Sequence, residues 1–131
     1  MKISAGSEYA VRILVEVAKA KDFVSLKEVS QNLDISLKYA EKITSKLTKG
    51  GLLESQRGQD GGYKLAKSAE QLTIREVLEL TGDIKPVVAC LTTDCPHKKT
   101  CTSISVWERL NALINDYLGK ITIQSLMNWL I

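Results

Sequence analysis

Two short helices, each opened by a capping residue, are the feature that most constrains the fold of this chain. Ser25-Leu26-Lys27-Glu28 is a capping box, so a helix is expected to follow it. Ser36 is a second N-cap candidate, and its helix is expected to end at Gly50-Gly51. The second helix is expected to bury four apolar side chains: Leu37, Ala40, Ile43 and Leu47. Two such helices, a few residues apart, predict a helix-turn-helix.

A β-hairpin is predicted directly after the second helix. Residues 52–56 and 62–66 have the pattern of two short strands, and the turn between them, residues 57–61, is rich in glycine. A hairpin at this place is a wing. The predicted fold class is therefore mainly α with a small β-hairpin wing, a winged helix-turn-helix.

Further helices are predicted on both sides of this unit. Residues 7–20 have a one-faced apolar stripe, and Thr73-Ile74-Arg75-Glu76 is a capping box for a short helix that stops at Gly82. From about residue 102 a long amphipathic helix is expected, broken at Gly119, and Thr122 is placed to cap a final helix.

The chain is expected to form one compact protomer in three parts: a winged helix-turn-helix over residues 1–82, a loop over 83–101, and the dimerisation and C-terminal helices over 102–131. The long helix carries six large apolar side chains: Val106, Trp107, Leu110, Leu113, Ile114 and Tyr117. This face either folds back on the N-terminal helices or pairs with a second copy in a two-fold dimer. We favour the dimer, because dimeric winged-helix proteins bind palindromic DNA.

The distribution of charge favours a polyanion as partner. The 131 residues have a net charge of +3, but residues 35–67 alone carry seven basic and three acidic side chains. Such a concentration is typical of nucleic-acid-binding surfaces, although a solvated helix face is the alternative. An enzyme is not expected, because the chain has one histidine and lacks an activated serine arrangement and a phosphate-binding glycine loop.

The chain has three cysteines, and all of them lie within twelve residues, at Cys90, Cys95 and Cys101. An odd, tightly clustered set is a poor disulfide framework. Neither a secretory signal nor an uncharged membrane-length run is evident, so a reducing cytoplasm is expected. In that compartment clustered thiols favour metal, iron–sulfur or redox chemistry.

Several motifs together resemble one bacterial family, the Rrf2 winged-helix transcription regulators. They are Met1–Ser4, Tyr9–Val11, Ile35–Glu41, Leu52-Leu53, Arg57–Leu65, and the cysteine loop running into Trp107. The resemblance covers essentially the whole chain. It implies a homodimeric repressor-type DNA-binding protein, and in members with these cysteines an iron–sulfur cluster whose state sets DNA affinity.

The resemblance places the recognition helix at residues 36–49, with Ser36, Lys38, Tyr39 and Glu41 best placed to meet DNA. The start of such a helix faces the major groove, where a carboxylate can accept from a cytosine amino group. For Glu41 the alternative is a surface ion pair with Lys38 or Lys42.

The resemblance also assigns DNA backbone and groove contacts. Lys42, Lys46 and Lys49 are expected to contact phosphates, which gives affinity without sequence preference. Arg57 matches the family's minor-groove arginine, since narrow A·T-rich grooves attract such a charge. Three wing glycines would let the backbone approach the duplex: Gly58, Gly61 and Gly62.

The cysteine loop departs from part of the family. Its cluster regulator has a histidine three residues beyond the last cysteine, where this chain has Ile104, and His97 does not match that position. Other members take an acidic ligand from the first helix, so Glu8 is the favoured fourth ligand, from the same or the opposite protomer. The alternative is that Glu8 only stabilises a helix N-terminus.

Three thiolates and one further ligand can hold a 2Fe–2S or a 4Fe–4S cluster, and zinc is chemically possible. The predicted function is a DNA-binding transcription regulator controlled by an iron–sulfur cluster. Alternatives on the same fold are a regulator without iron that responds through thiol oxidation or a partner protein, and a zinc-stabilised DNA-binding module.

Overall fold

The computed structural model describes residues 2–91 and 93–130, and it has the predicted fold class. Helices and a two-stranded antiparallel sheet follow one another along the chain. In order they are α1 (Ala5–Lys19), α2 (Leu26–Leu33), α3 (Leu37–Lys49), β1 (Leu53–Gln56), β2 (Gly62–Leu65), α4 (Ile74–Thr81), a 3₁₀ turn (Ala89–Leu91), α5 (Ile104–Lys120) and α6 (Ile123–Trp129). No helix in these ranges is long and apolar enough to cross a bilayer.

The predicted caps open four of these helices. The side chains of Ser25 and Ser36 accept from backbone N–H groups three residues on, at 3.1 and 3.0 Å. Thr73 caps α4 in the same way, and Thr122 opens α6 with a reciprocal capping box to Ser125. Each cap satisfies an amide that a helix leaves without an internal partner.

The core forms around α1, which lies against α2, α3, α4 and α6. The predicted stripe supplies its centre, with Ala10, Ile13 and Leu14 fully buried. Five fully or almost fully buried side chains come from the surrounding elements: Val29, Leu47, Leu72, Val77 and Ile123. The helix-turn-helix is therefore supported from behind by the first and last helices.

The wing is fastened to the start of α2. Strand β1 pairs with β2 from Leu53↔Leu65 to Gln56↔Gly62. Tyr63 and Val24 also exchange two backbone hydrogen bonds, of 2.8 and 2.9 Å. Gly62 has φ +140°, and a Cβ there would collide with the Val24 carbonyl oxygen. This position therefore requires glycine, and the close approach fixes the wing relative to the helix-turn-helix.

The structure corrects the prediction that Leu37 is buried, because this side chain is 52% exposed. The other three predicted residues, Ala40, Ile43 and Leu47, do face the core. Leu37 is the first residue of α3, and its position at the edge of the apolar stripe leaves it beyond the reach of that face.

The structure also corrects the predicted break at Gly119, because α5 continues through it to Lys120. Backbone pairing with the segment before α4 follows the end of α5. Ile74 N–H donates to Ile121 C=O, and Ile123 N–H donates to Leu72 C=O, both at 2.9 Å. These bonds hold the chain extended after Lys120, so tertiary pairing rather than a glycine accompanies the end of the helix.

Helix α5 packs on α4, and its apolar stripe is covered unevenly. The inner edge of the stripe contains Trp107, Ile114 and Leu118, all half-buried. The outer edge is exposed in the single chain: Val106 52%, Leu110 39%, Leu113 66% and Tyr117 61%. Packing within the chain therefore covers only part of the stripe.

Candidate nucleic-acid interface and cysteine loop

The exposed side of α3 carries most of the predicted DNA-contacting residues. Lys38, Glu41, Lys42 and Lys46 are all exposed, on the side of the helix away from the core. Ser36 immediately precedes the helix and is exposed as well. Its oxygen accepts from Tyr39 N–H at 3.0 Å, which leaves the hydroxyl hydrogen free to donate to a phosphate or a base.

Tyr39 differs from its neighbours because it is half-buried against α1. Its ring meets that of Tyr9 edge to face, with centroids 5.6 Å apart and planes at 83°. The Arg12 guanidinium lies 5.1 Å from the Tyr9 centroid. This stack fixes the orientation of α3 on α1. Lys42 and Lys46 line a cleft of about 310 Å³ between the same two helices.

The charges on α3 and the wing are not neutralised by nearby side chains. The ion pairs found in the described part of the chain are Arg12–Glu8, Lys19–Glu16, Lys67–Glu76 and Arg75–Glu79. Glu41 therefore has no ion pair with Lys38 or Lys42 within those residues. Lys46 and Arg57 are similarly unpaired there, so their charge is available to a polyanion.

The wing tip is open. Arg57 is exposed, and Gly58 has φ +111° with free space where a side chain would lie. Gly61 has the opposite surroundings, since a Cβ there would collide with the Gln56 carbonyl oxygen. The tip thus combines a cation with a turn that keeps side chains out of the way.

The three cysteines are free and half-buried in the segment between α4 and α5. Cys90 lies in the short 3₁₀ turn, and Val87 N–H bonds to Asn111 Oδ1 of α5 at 3.3 Å. Cys101 lies beside the start of α5. The Ser103 hydroxyl, and then the amides of Ser103 and Ile104, lower the pKa of the Cys101 thiol. Hydrogen bonds to the sulfur favour its thiolate form.

The predicted ligands are not gathered within the single chain. Over residues 2–91 and 93–130 no group of three or more Cys, His, Asp or Glu side chains is placed to hold a metal ion. Glu8 is in the first turn of α1 and pairs with Arg12 at 3.4 Å, and His97 is exposed. The donor set itself fits a cluster, because three accessible thiols lie in one loop. A cluster held by these three thiols would therefore require the loop to rearrange.

A hydrogen-bonded junction that no sequence motif predicts lies where this loop begins. Asp83 accepts from the Ser4 amide at 2.8 Å and from the Ser4 hydroxyl at 2.9 Å. The buried Ser7 hydroxyl bonds to Thr81 at 2.5 Å. The Ser7 hydroxyl, the Ser4 amide and the Ser4 hydroxyl lower the pKa of Asp83. Ser4 also caps α1, so the start of α1 is tied to the start of the cysteine-bearing segment.

A capped helix-turn-helix with an exposed basic second helix and an adjoining wing defines a winged-helix DNA-binding protein. Residues 3–129 match the Rrf2 family, described as an iron-dependent transcriptional regulator. The chain belongs to this family, and it is a DNA-binding transcriptional regulator rather than an enzyme.

Known proteins similar to this chain include two kinds of regulator. The HTH-type transcriptional regulator IscR of Vibrio campbellii is 34% identical over 97% of this chain and 77% of its own. The structure of CymR, the global cysteine regulator of B. subtilis, has a TM-score of 0.83 and 27% identity, with 98% of both chains covered. The structure of T. potens IscR has a TM-score of 0.77 and 26% identity, covering 100% of this chain and 89% of the other.

Proposed function

We propose that this protein is a cytoplasmic homodimeric repressor whose affinity for a palindromic operator is set by an iron–sulfur cluster on Cys90, Cys95 and Cys101. One observation carries the proposal: the three free cysteines lie in the segment that leads directly into α5. This helix leaves the outer edge of its apolar stripe exposed. Ligand binding on that segment is thus adjacent to the surface that would set the spacing of two DNA-binding units.

The exposed edge of α5 supports the homodimer. Four large apolar side chains in one stripe are more than scattered surface residues. Covering both copies of the stripe contributes on the order of 10 kcal/mol before entropy, because full burial of one such side chain is worth about 1.5–3 kcal/mol and these are already about half covered. Two-fold pairing of the same helix would bury the stripe on itself and place two recognition helices against two half-sites.

The uncompensated charge and the shape of the first half support the DNA contacts. In this proposal the start of α3, with Ser36, Lys38 and Glu41, enters the major groove, and Tyr39 lies beside the adjacent backbone. Lys42 and Lys46 contact phosphates, and Arg57 with Gly58 enters the minor groove. The proposed interface therefore combines base contacts from α3 with phosphate and groove contacts around it.

The donor set and the family description support the cluster. The family is described as iron-dependent, and similar proteins include IscR. When bound, a 2Fe–2S or 4Fe–4S cluster would supply an oxidisable centre whose presence or redox state can change. The three cysteines would hold it, with Glu8 as fourth ligand once it leaves Arg12. A tenfold change in operator affinity requires only about 1.4 kcal/mol of coupling, which ordering of the loop on cluster binding would supply.

Anaerobic reconstitution tests this function. The purified protein should bind iron and sulfide and gain visible absorption, and operator affinity should differ between the loaded and cluster-free forms. Alanine at Cys90, Cys95 or Cys101 should abolish stable loading. Glu8→Gln should leave a more labile cluster, and His97→Ala is the matched control that should load normally. Absence of iron, or equal operator affinity with and without it, would reject the sensor.

A second function is favoured by the similarity to CymR, a cysteine regulator. In that case the same fold would respond through the thiols or a partner protein, and iron would play no part. Metal-free protein would then change its operator affinity on mild oxidation or on addition of the partner. Zinc without iron or sulfide in the purified protein would instead indicate a structural metal site.

A further inference from the structure

Leu37 is the exposed large apolar side chain of the DNA-facing part of the molecule. It is 52% exposed, and every other exposed large hydrophobic residue found in the described ranges lies in α5, near the end of α6, or at Ile3. Ile3 lines a groove with Leu113 and Tyr117, so it belongs to the α5 surface. Leu37 stands apart from that surface, at the border between the core-facing side of α3 and its polar, basic side.

The position of Leu37 is defined by the cap that precedes it. Ser36 is the N-cap of α3, so Leu37 is the first helical residue, and Lys38 follows. Glu41 lies one turn further on, and residues four apart share a face of a helix. Leu37 lies at the edge of the core-facing side of α3, three residues before Ala40 and seven before the buried Thr44, but its own side chain stays 52% exposed. Leu37 is thus grouped with the exposed side chains of the first turn.

We infer that Leu37 is a specificity-determining residue that contacts the 5-methyl group of a thymine in the operator. This inference rests on the proposed function, because it requires the start of α3 to lie in the major groove. The first residues of a recognition helix approach base edges there. The thymine methyl is the apolar group among those edges, and apolar side chains recognise it.

The neighbours of Leu37 restrict where that thymine lies. Glu41 is the carboxylate on the adjacent turn, suited to accept from a cytosine amino group. Because Leu37 precedes Glu41 by one turn on the same flank, the two are placed to contact neighbouring base pairs. A thymine next to the pair contacted by Glu41 is therefore expected in each half-site.

Removing single methyl groups from the operator tests this inference. A duplex operator is first selected from a random library with the full-length protein. Each symmetric pair of thymines is then replaced by deoxyuridine, which differs only by the methyl group. For the wild-type protein, one such pair should weaken binding by about fourfold per half-site, the factor that corresponds to about 0.8 kcal/mol for one buried methyl-sized group.

The Leu37→Ala variant should bind the thymine and uracil operators with equal affinity, whereas Leu37→Met should retain the preference for thymine. Lys38→Ala is the matched control, and it should weaken binding to both operators by one common factor. Retention of the full thymine preference by Leu37→Ala, or no effect of any methyl group on wild type, would refute this role. Failure to select any operator would instead refute the proposed function on which it depends.

Discussion

The DNA-binding half and the α5 half of this molecule are stabilised in different ways. From α1 to α4 the core is closed, with Ile13, Leu14, Leu47 and Val77 almost or fully inaccessible. In α5 no residue is buried, although the helix is the longest in the structure. The first half completes its core with Ile123 of α6, whereas α5 displays an apolar edge. The fold of the DNA-binding half therefore forms within a single chain, whereas the proposed dimer depends on the edge of α5 that the single chain leaves uncovered.

The largest expected effect comes from placing a charge on that uncovered edge. Leu110→Glu should convert the proposed dimer into monomers, because a carboxylate would be buried between the two copies of α5, and operator affinity should fall by at least about a hundredfold. Light scattering and binding assays measure these effects. The far-UV circular dichroism should remain native, since no residue of α5 is buried in the core. Ala112→Glu, on the polar side of α5, is the control and should remain dimeric. A Leu110→Glu variant that stays dimeric would contradict the proposed pairing through the exposed edge of α5.

A second large effect is expected inside the first half, at the wing attachment. Gly62→Ala should lower the free energy of unfolding by about 2–4 kcal/mol, because the new Cβ meets the Val24 carbonyl as well as an unfavourable backbone angle. Gly58→Ala has a similar positive φ but open space, so it should cost only about 1 kcal/mol. Urea denaturation compares the two. Equal losses would show that the close approach to α2 is unimportant.

A smaller effect is expected when DNA contacts are removed without disturbing either half. Arg57→Ala should weaken binding by about tenfold, and most strongly for operators with A·T-rich flanks. Lys46→Ala should weaken specific and random duplexes alike and reduce the salt slope by about one. Both variants should remain dimeric. If Arg57→Ala showed no dependence on the flanking sequence, the minor-groove assignment would be wrong.

The smallest effect concerns the junction between the halves, at Asp83. The Ser7 and Ser4 donors lower its folded pKa, so the charged form adds stability above the ordinary value of 3.8. That stability is lost as the pH falls through the lower folded value. Asp83→Asn should therefore be slightly less stable than wild type at pH 7 and nearly equal to it near pH 2. Urea midpoints at both pH values test this, and a difference independent of pH would exclude the carboxylate charge as its cause.

Local chemistry made most of the first half predictable from sequence. The caps at Ser25, Ser36 and Thr73 and the glycines of the wing act within a few residues, so their patterns are sufficient. Leu37 and Gly119 were mispredicted because burial and helix ends depend on distant segments. The apolar pattern of α3 includes Leu37 but does not tell whether another segment covers it. The backbone pairing of residues 121–123 with residues 72–74 has no local sequence signature.

The cysteine site shows the same limit more strongly. The spacing of Cys90, Cys95 and Cys101 indicates a shared chemistry, and the chain does place them in one loop. The spacing does not predict how the loop arranges the three cysteines, since few core contacts fix a segment of half-exposed residues. The Asp83 junction was missed for a related reason, because Ser4 and Asp83 are distant in sequence.

The backbone pairing after Lys120 anchors one end of α5 more firmly than the other. Its C-terminal end is held against the segment before α4, while its N-terminal end adjoins Cys101 and Ser103. Seventeen residues at about 1.5 Å each make an arm of about 25 Å. A displacement of about 2 Å at the cysteine end therefore corresponds to a tilt of about 5° at the pivot. In the proposed two-fold dimer the two tilts would add, so a small displacement at the cysteine loop would change the angle between the two DNA-binding units.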